Sequence, residues 1–168
     1  WKQKVRKHTD DPTLTLGVMV DISGSMGSAM EAMGATAWIM SEAGRRIQAK
    51  TAMVYYGNGV FPTLTVGQKL DQVTIYSAPD STEKFGQAWE ALDGALGLTH
   101  SDGVRLLVVV SDGYYTSDQQ ERCKSALKEC KRNGVAVLWL VPKECHSYPA
   151  KNLTAEAGWG VVADELDV

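Results

Sequence analysis

The chain has no excess of positive charge, no apolar run long enough to cross a bilayer, and only three cysteines. Each shortage closes a class of function. Seventeen Lys and Arg stand against twenty Asp and Glu, a formal net charge of −3, so there is no electrostatic footprint for nucleic acid or for an anionic membrane surface. The basic start, Lys2, Lys4, Arg6 and Lys7, is too short to change that and reads as a solvated lead-in. No stretch approaches the ~18 apolar residues that a transmembrane helix needs, so no membrane insertion is expected. A Gly-x-x-x-x-Gly-Lys phosphate loop, a His-Glu-x-x-His pair and a Cys-x-x-Cys pair are all missing. His8, His100 and His146 are scattered and read as surface histidines, not as bases.

The cysteines are too few and badly spaced for a disulfide framework. Cys123 and Cys130 fall on the apolar stripe of one predicted helix. Seven residues are about two turns, or ~10 Å of rise, too far to bridge, so both read as buried thiols; Cys145 is unplaced. That pattern points to a reducing, cytoplasmic setting. Asn152-Leu153-Thr154 is a glycosylation sequon that would matter in the alternative, an extracellular or cell-surface protein.

What is present describes an ordinary globular domain. Hydrophobic residues make up 44% and charged residues 22% of 168 positions, enough for one domain with a real core. The expected organisation is a lead-in over 1–12 and a single domain over 13–168. The chain starts at Trp1 with no signal-peptide pattern and is expected to be a piece of a longer protein.

Strand and helix patterns alternate, which predicts a doubly wound, mostly parallel α/β sheet with helices on both faces. Strands are predicted at Leu14 to Asp21, Thr51 to Tyr56, Val104 to Val110 and Val135 to Val141. Asn58-Gly59 signals a hairpin, from which Val60 to Val66 returns antiparallel, and Pro62 places that return at a sheet edge. Gln72 to Tyr76 reads as a short strand or an extended loop, and Gly160 to Ala163 as a last strand, giving six in the sheet. Helices are predicted over Ser28 to Lys50, where Met30, Met33, Ala37, Met40, Gly44 and Ile47 form a core stripe. Others are predicted over Glu83 to Leu98, Asp118 to Asn133 and Leu153 to Ala157. Ser117 and Gln120 have capping-box spacing, and Asn133-Gly134 supplies a stop.

One stretch carries chemistry. Val18-Met19-Val20-Asp21-Ile22-Ser23-Gly24-Ser25-Met26 runs from a buried strand into one carboxylate and two hydroxyls on alternate residues. Alternate residues of an extended segment leave on the same side, so three hard oxygen donors converge at a strand end. Such donors suit Mg²⁺, Mn²⁺ or Ca²⁺, not zinc. The plain alternative is a loop whose Asp and Ser cap the next helix. Position argues for the metal, because open α/β sheets hold ligands at the carboxyl ends of their strands. A second strand-end carboxylate follows at Ser111-Asp112-Gly113. A third contributor is expected from Pro79-Asp80-Ser81-Thr82, whose residues are also helix-cap types. Tyr55, Tyr56, Tyr114 and Tyr115 lie around the same rim, and Tyr114-Tyr115 suits either an exposed contact pair or partial burial.

These residues resemble a von Willebrand factor A (vWA) domain carrying a metal-ion-dependent adhesion site. In that family an Asp-x-Ser-x-Ser follows the first strand, a Thr comes from a middle loop, and an Asp follows the fourth strand. Asp21, Ser23 and Ser25 match the first element and Asp112 the last. The edge hairpin and the closing Gly158-Trp159-Gly160-Val161-Val162 are also similar, and the likeness runs from about Thr13 to Val162. The middle loop departs from the usual Gly-Gly-Thr: Thr82 is its best match, with Ser81 a rival and Asp80 a nearby charge.

The resemblance implies a non-catalytic, interaction or adhesion domain. Ser23, Ser25 and Thr82 would touch Mg²⁺ (Mn²⁺ or Ca²⁺ in its place), Asp21 and Asp112 would act mainly through waters, and a protein partner would supply an Asp or Glu side chain. It also implies an alternative role as a scaffold subunit of an AAA+ ATPase or chelatase-like complex. The enzyme alternative, a haloacid-dehalogenase-like phosphohydrolase, needs a second carboxylate two residues after Asp21; Ser23 stands there and cannot exchange protons near neutral pH.

Overall fold

The computed structural model describes residues 13–73, 75–76 and 82–159, and the backbone of 163–166. The lead-in over 1–12, Asp80 and Ser81 of the middle loop, and residues 160–162 lie outside the described residues.

Strand β1 (Leu14–Asp21) is buried along almost its whole length. Leu16, Val18 and Val20 enter one core and Met19 the other, as a central strand covered on both faces requires. A 3-10 segment, Gly24–Ala29, leads into helix α1 (Met30–Arg46). Strand β2 (Lys50–Tyr56) lies parallel to β1, and β3 (Val60–Leu64) returns antiparallel to β2 through a turn closed by the Gly57 N–H to Gly59 carbonyl bond of 3.0 Å. Then come α2 (Phe85–Leu96), β4 (Val104–Val110), α3 (Ser117–Arg132), β5 (Ala136–Pro142), α4 (Tyr148–Glu156) and β6 (Ala163–Leu166).

The strand order is β3-β2-β1-β4-β5-β6. Five strands carry the sheet, four of them parallel (β2, β1, β4, β5) and one antiparallel pair formed by β3 on β2. The short β6 touches β5 at two registered positions only, Leu140–Ala163 and Pro142–Leu166, with an irregularity between them. The expected six strands therefore become five with full ladders plus this four-residue edge piece. Helix α1 and the 3-10 segment cover one face, through Met26, Ala29, Met33 and Ala37. Helices α2, α3 and α4 cover the other, through Phe85, Leu92, Leu127 and Leu153. Gly17 lets α2 approach β1, because a Cβ there would lie 2.8 Å from Leu92 Cδ2.

Several element ends differ from expectation. The first helix stops at Arg46, so Ile47 is an exposed C-cap residue and not part of the core stripe; Gln48 takes a positive φ of 57° and turns the chain into β2. Helix α2 ends at Leu96 because Gly97 takes the left-handed cap at φ 67°. Thr116, not Ser117, is the N-cap of α3, without a side-chain cap bond; Gln120 instead donates its Nε2 to the Tyr115 carbonyl at 2.8 Å. Residues 72, 73, 75 and 76 form no strand. Helix α4 begins at Tyr148, with Pro149 in its first turn, where a proline lacks no needed donor. All three thiols are unpaired, Cys123 and Cys130 fully buried. Among the described residues no helix is long and apolar enough to cross a membrane.

Candidate metal centre

Strands β1 and β4 are parallel neighbours in register, Val20 opposite Val110. The chain order reverses between them, which makes their carboxyl ends the switch point where such sheets hold ligands. Asp21 and Ser111 therefore stand side by side at the rim. The Asp21 side chain is 0% exposed. Its Oδ1 accepts the Ser23 N–H at 2.8 Å, the short Asp-to-backbone bond that turns a chain out of a strand. Its Oδ2 accepts the Ser111 hydroxyl at 2.6 Å.

That turn brings the Ser23 and Ser25 hydroxyls within 3.3 Å of each other. Ser23 is buried and Ser25 exposed, so the pair runs from the interior to the surface. Behind them Met26 is fully buried, and its Sδ receives the Asp112 N–H at 3.3 Å. Met26 thus ties the β1 loop to the β4 loop. Asp112 Oδ1 accepts the Tyr114 N–H at 3.0 Å, and its carbonyl accepts the Ala150 N–H at 3.0 Å. Gly113 makes that last approach possible. It has φ 77°, and a Cβ there would fall 2.7 Å from the Ala150 Cα.

Burial raises the Asp21 carboxyl to about 7, against the hydrogen bonds from Ser111 and Ser23 that lower it; the like charge of Asp112 adds an upward push. A buried carboxylate held by neutral donors and facing a second carboxylate is uncompensated charge. A divalent cation is what such a pair lacks, and the hydroxyls of Ser23 and Ser25 supply hard neutral donors beside it. Among the described residues no three His, Cys, Asp or Glu side chains gather as a metal cluster; two carboxylates with hydroxyls form a different donor set, one suited to an oxygen-loving ion. The residues fit a cation of the Mg²⁺ type.

Asp21, Ser23, Ser25 and Asp112 are brought together by these bonds. Thr82 is exposed and is not among the residues that these bonds bring together. Next to it Glu83 Oε2 accepts the Thr116 N–H at 3.3 Å, and the Gly86 N–H donates to Gln119 Oε1 at 3.2 Å. The head of α2 is thus fastened to the connection that follows Asp112.

The tyrosines around the rim divide between burial and exposure. Tyr55, Tyr56 and Tyr115 are buried, whereas Tyr114 is 70% exposed. Tyr148, which sequence reasoning missed, is 73% exposed. With Pro149 and Leu153 these two tyrosines line a recess of about 360 Å³ beside Gly113. Ser111 and Met26 were also missed, although Ser111 stands next to Asp112 and Met26 directly follows Ser25.

No family model matches the chain, and no curated protein matches it. Solved structures do. Manganese-loaded TRAP protein of Plasmodium vivax is 14% identical, with a TM-score of 0.63 over 91% of this chain and 69% of that one. The VWA domain of SpRpn10 is 12% identical, with a TM-score of 0.62 over 93% and 88%. The pilus adhesin SpaC of Lactobacillus rhamnosus GG, in an open conformation, is 12% identical, with a TM-score of 0.68 over 96% of this chain and 29% of that one. At such identities the likeness is one of fold. The chain has the fold of a vWA domain.

Proposed function

We propose that this domain is a non-catalytic protein-binding module whose capture of a partner depends on a divalent cation held by Asp21, Ser23, Ser25, Thr82 and Asp112. The observation that carries the reading is the pair of strand-end carboxylates at the β1–β4 switch point, with Asp21 buried, without a cationic hydrogen-bond donor among the described residues, and next to the Ser23–Ser25 hydroxyl pair. A Mg²⁺ bound there supplies an electrophilic open position for a carboxylate oxygen.

The chain's own residues do the rest. Ser23 N–H and the Ser111 hydroxyl fix both oxygens of Asp21. The Tyr114 N–H orients Asp112, and Ser25 stands at the exposed edge where a partner arrives. Tyr114 beside that edge gives the partner an aromatic contact. A partner presenting an Asp or Glu side chain fits this chemistry, since the site joins neutral hydroxyls to few direct charges. The manganese-loaded and adhesin neighbours support the same reading.

Phosphohydrolase chemistry is disfavoured by Ser23. Its hydroxyl is engaged with Ser25, and no carboxylate stands two residues after Asp21 to shuttle a proton. Incubation with phosphate monoesters and Mg²⁺ tests this directly: no turnover above the uncatalysed rate is expected. Sustained turnover lost in Asp21→Ala would overturn the proposal.

A further inference from the structure

Two buried tyrosines have no part in the site described above, yet their hydroxyls end on it. Tyr56 closes β2 and is fully buried; Tyr115 lies in the β4–α3 connection and is almost so. Their hydroxyls meet at 2.6 Å. The Tyr115 hydroxyl then donates to Ser111 Oγ at 2.8 Å, and Ser111 donates to Asp21 Oδ2 at 2.6 Å.

With Asp21 ionised, as a cation ligand must be, the direction of this chain is forced. Ser111 Oγ also accepts the Gly113 N–H at 2.9 Å, so both of its lone pairs are used and its single proton is left for Asp21. Tyr115 spends its proton on Ser111, which leaves Tyr56 as the donor in the tyrosine pair. Three hydroxyls from two separate segments therefore point their protons one way, toward one carboxylate. Aligned hydrogen bonds polarise one another in a low-dielectric interior, so the donor at the end is stronger than a lone serine.

The surrounding rings hold this line in place. Phe85 packs against Tyr56 at 5.8 Å and Tyr115 at 5.6 Å and stacks on Trp139 at 6.1 Å. Trp139 Nε1 donates to the Ser111 carbonyl at 2.7 Å. Burying tyrosine hydroxyls among rings is unfavourable unless each is paired, so a fully paired line ending on a candidate metal ligand calls for a role at that ligand.

We infer that Tyr56 and Tyr115 are positioning residues for the cation: through Ser111 they pin Asp21 Oδ2 on the protein side and leave the carboxylate's remaining lone pairs facing the rim. This rests on the cation-binding reading. Outer partners that orient metal-holding side chains are generally felt in metal affinity.

The test is Mn²⁺ titration by calorimetry on wild type, Tyr115→Phe, Tyr56→Phe and the double variant, with thermal melts of each in chelator. Losing one hydrogen bond in the line should weaken Mn²⁺ binding about three- to tenfold in Tyr115→Phe and about two- to threefold in Tyr56→Phe. Because the Tyr56 hydroxyl joins the line by its 2.6 Å bond to Tyr115, the double variant should bind like Tyr115→Phe alone. A mere packing role would instead leave Mn²⁺ affinity untouched while the melts shift, or give effects that multiply. A second readout needs no variant to fold. Slowly exchanging hydroxyl protons of Tyr56 and Tyr115 should be visible by NMR in the wild-type protein and should shift when Mg²⁺ is added. Their staying fixed while Mg²⁺ binds overturns the relay alone. Failure of wild type to bind Mn²⁺ at all overturns the cation reading and the relay with it.

Discussion

The Ser111 hydroxyl and the Asp21 carboxylate meet at 2.6 Å across the seam between β4 and β1, ninety positions apart in the chain. Strand pairing brings them there: Val20 and Val110 are in register, so the next residue of each strand faces the other at the sheet's rim. One hydroxyl thereby joins the loop that carries Ser23 and Ser25 to the loop that carries Asp112.

Replacing Ser111 by Ala removes a hydrogen-bond partner from three groups at once: Asp21 Oδ2, the Gly113 N–H and the Tyr115 hydroxyl, which keeps Tyr56. Unpaired buried polar groups make this costly, about 2–4 kcal/mol in urea unfolding with chelator present. Affinity for Mn²⁺ should fall about ten- to a hundredfold. A stability within about 0.5 kcal/mol of wild type would mean that the hydroxyl does not bind as described.

Asp21→Asn separates charge from shape. In the metal-free protein the Asp21 carboxyl is raised well above the usual carboxylate range, to about 7, chiefly by burial. The folded state thus holds the proton more tightly than the unfolded chain. The associated stability is fully present below about pH 4 and is lost as pH rises through 7. The neutral variant lacks that loss, so wild type should weaken relative to Asp21→Asn by about 2–4 kcal/mol between pH 4 and pH 8 in chelator. A pH-independent difference between the two proteins would contradict the burial of this charge. Adding Mg²⁺ at pH 8 should stabilise wild type alone, as expected for a ligand bound only by the native state.

Much of this was legible in the sequence. Strand β4 is observed over the predicted residues, and β1 likewise, because a central parallel strand is a continuous apolar run that local pattern reveals. Asp21, Ser23 and Ser25 are adjacent in the chain, so their convergence could be read from strand alternation and a turn. Ser111, Met26, Tyr56 and Tyr115 could not be read that way. The Tyr56 and Tyr115 hydroxyls are fifty-nine positions apart in sequence and meet only after β2 and β4 flank β1. Tyr115 looked like its exposed neighbour Tyr114 because nothing local tells which of two consecutive tyrosines turns inward. Helix α4 was expected from Leu153, whereas it begins at Tyr148 with Pro149 in its first turn, where proline suits a helix start.

Gly113→Ala should be severe for its size. A side chain at φ 77° is strained in itself, and its Cβ would sit 2.7–2.8 Å from the Ala150 backbone. The combined cost is about 2–4 kcal/mol, a fall in Tm of about 5–12 °C for a domain of this size. Calorimetric melting checks it; an unchanged Tm would show that α4 is not held against the Asp112 loop.

Ser25→Ala should do the opposite. Ser25 is exposed, and its side-chain hydrogen bond is to Ser23 Oγ. Melting in chelator should stay within about 1 °C of wild type, consistent with a surface substitution. Mn²⁺ affinity should drop about three- to tenfold for the loss of one neutral donor. Unaltered affinity would remove Ser25 from the donor set.

The central claim is tested most directly by calorimetric titration of Mg²⁺ and Mn²⁺ into wild type and Asp21→Ala. Wild type should bind one divalent cation per chain, and Asp21→Ala should show no saturable binding while remaining folded by circular dichroism. Equal binding by the two proteins, or none by wild type, would contradict a cation site at the β1–β4 switch point.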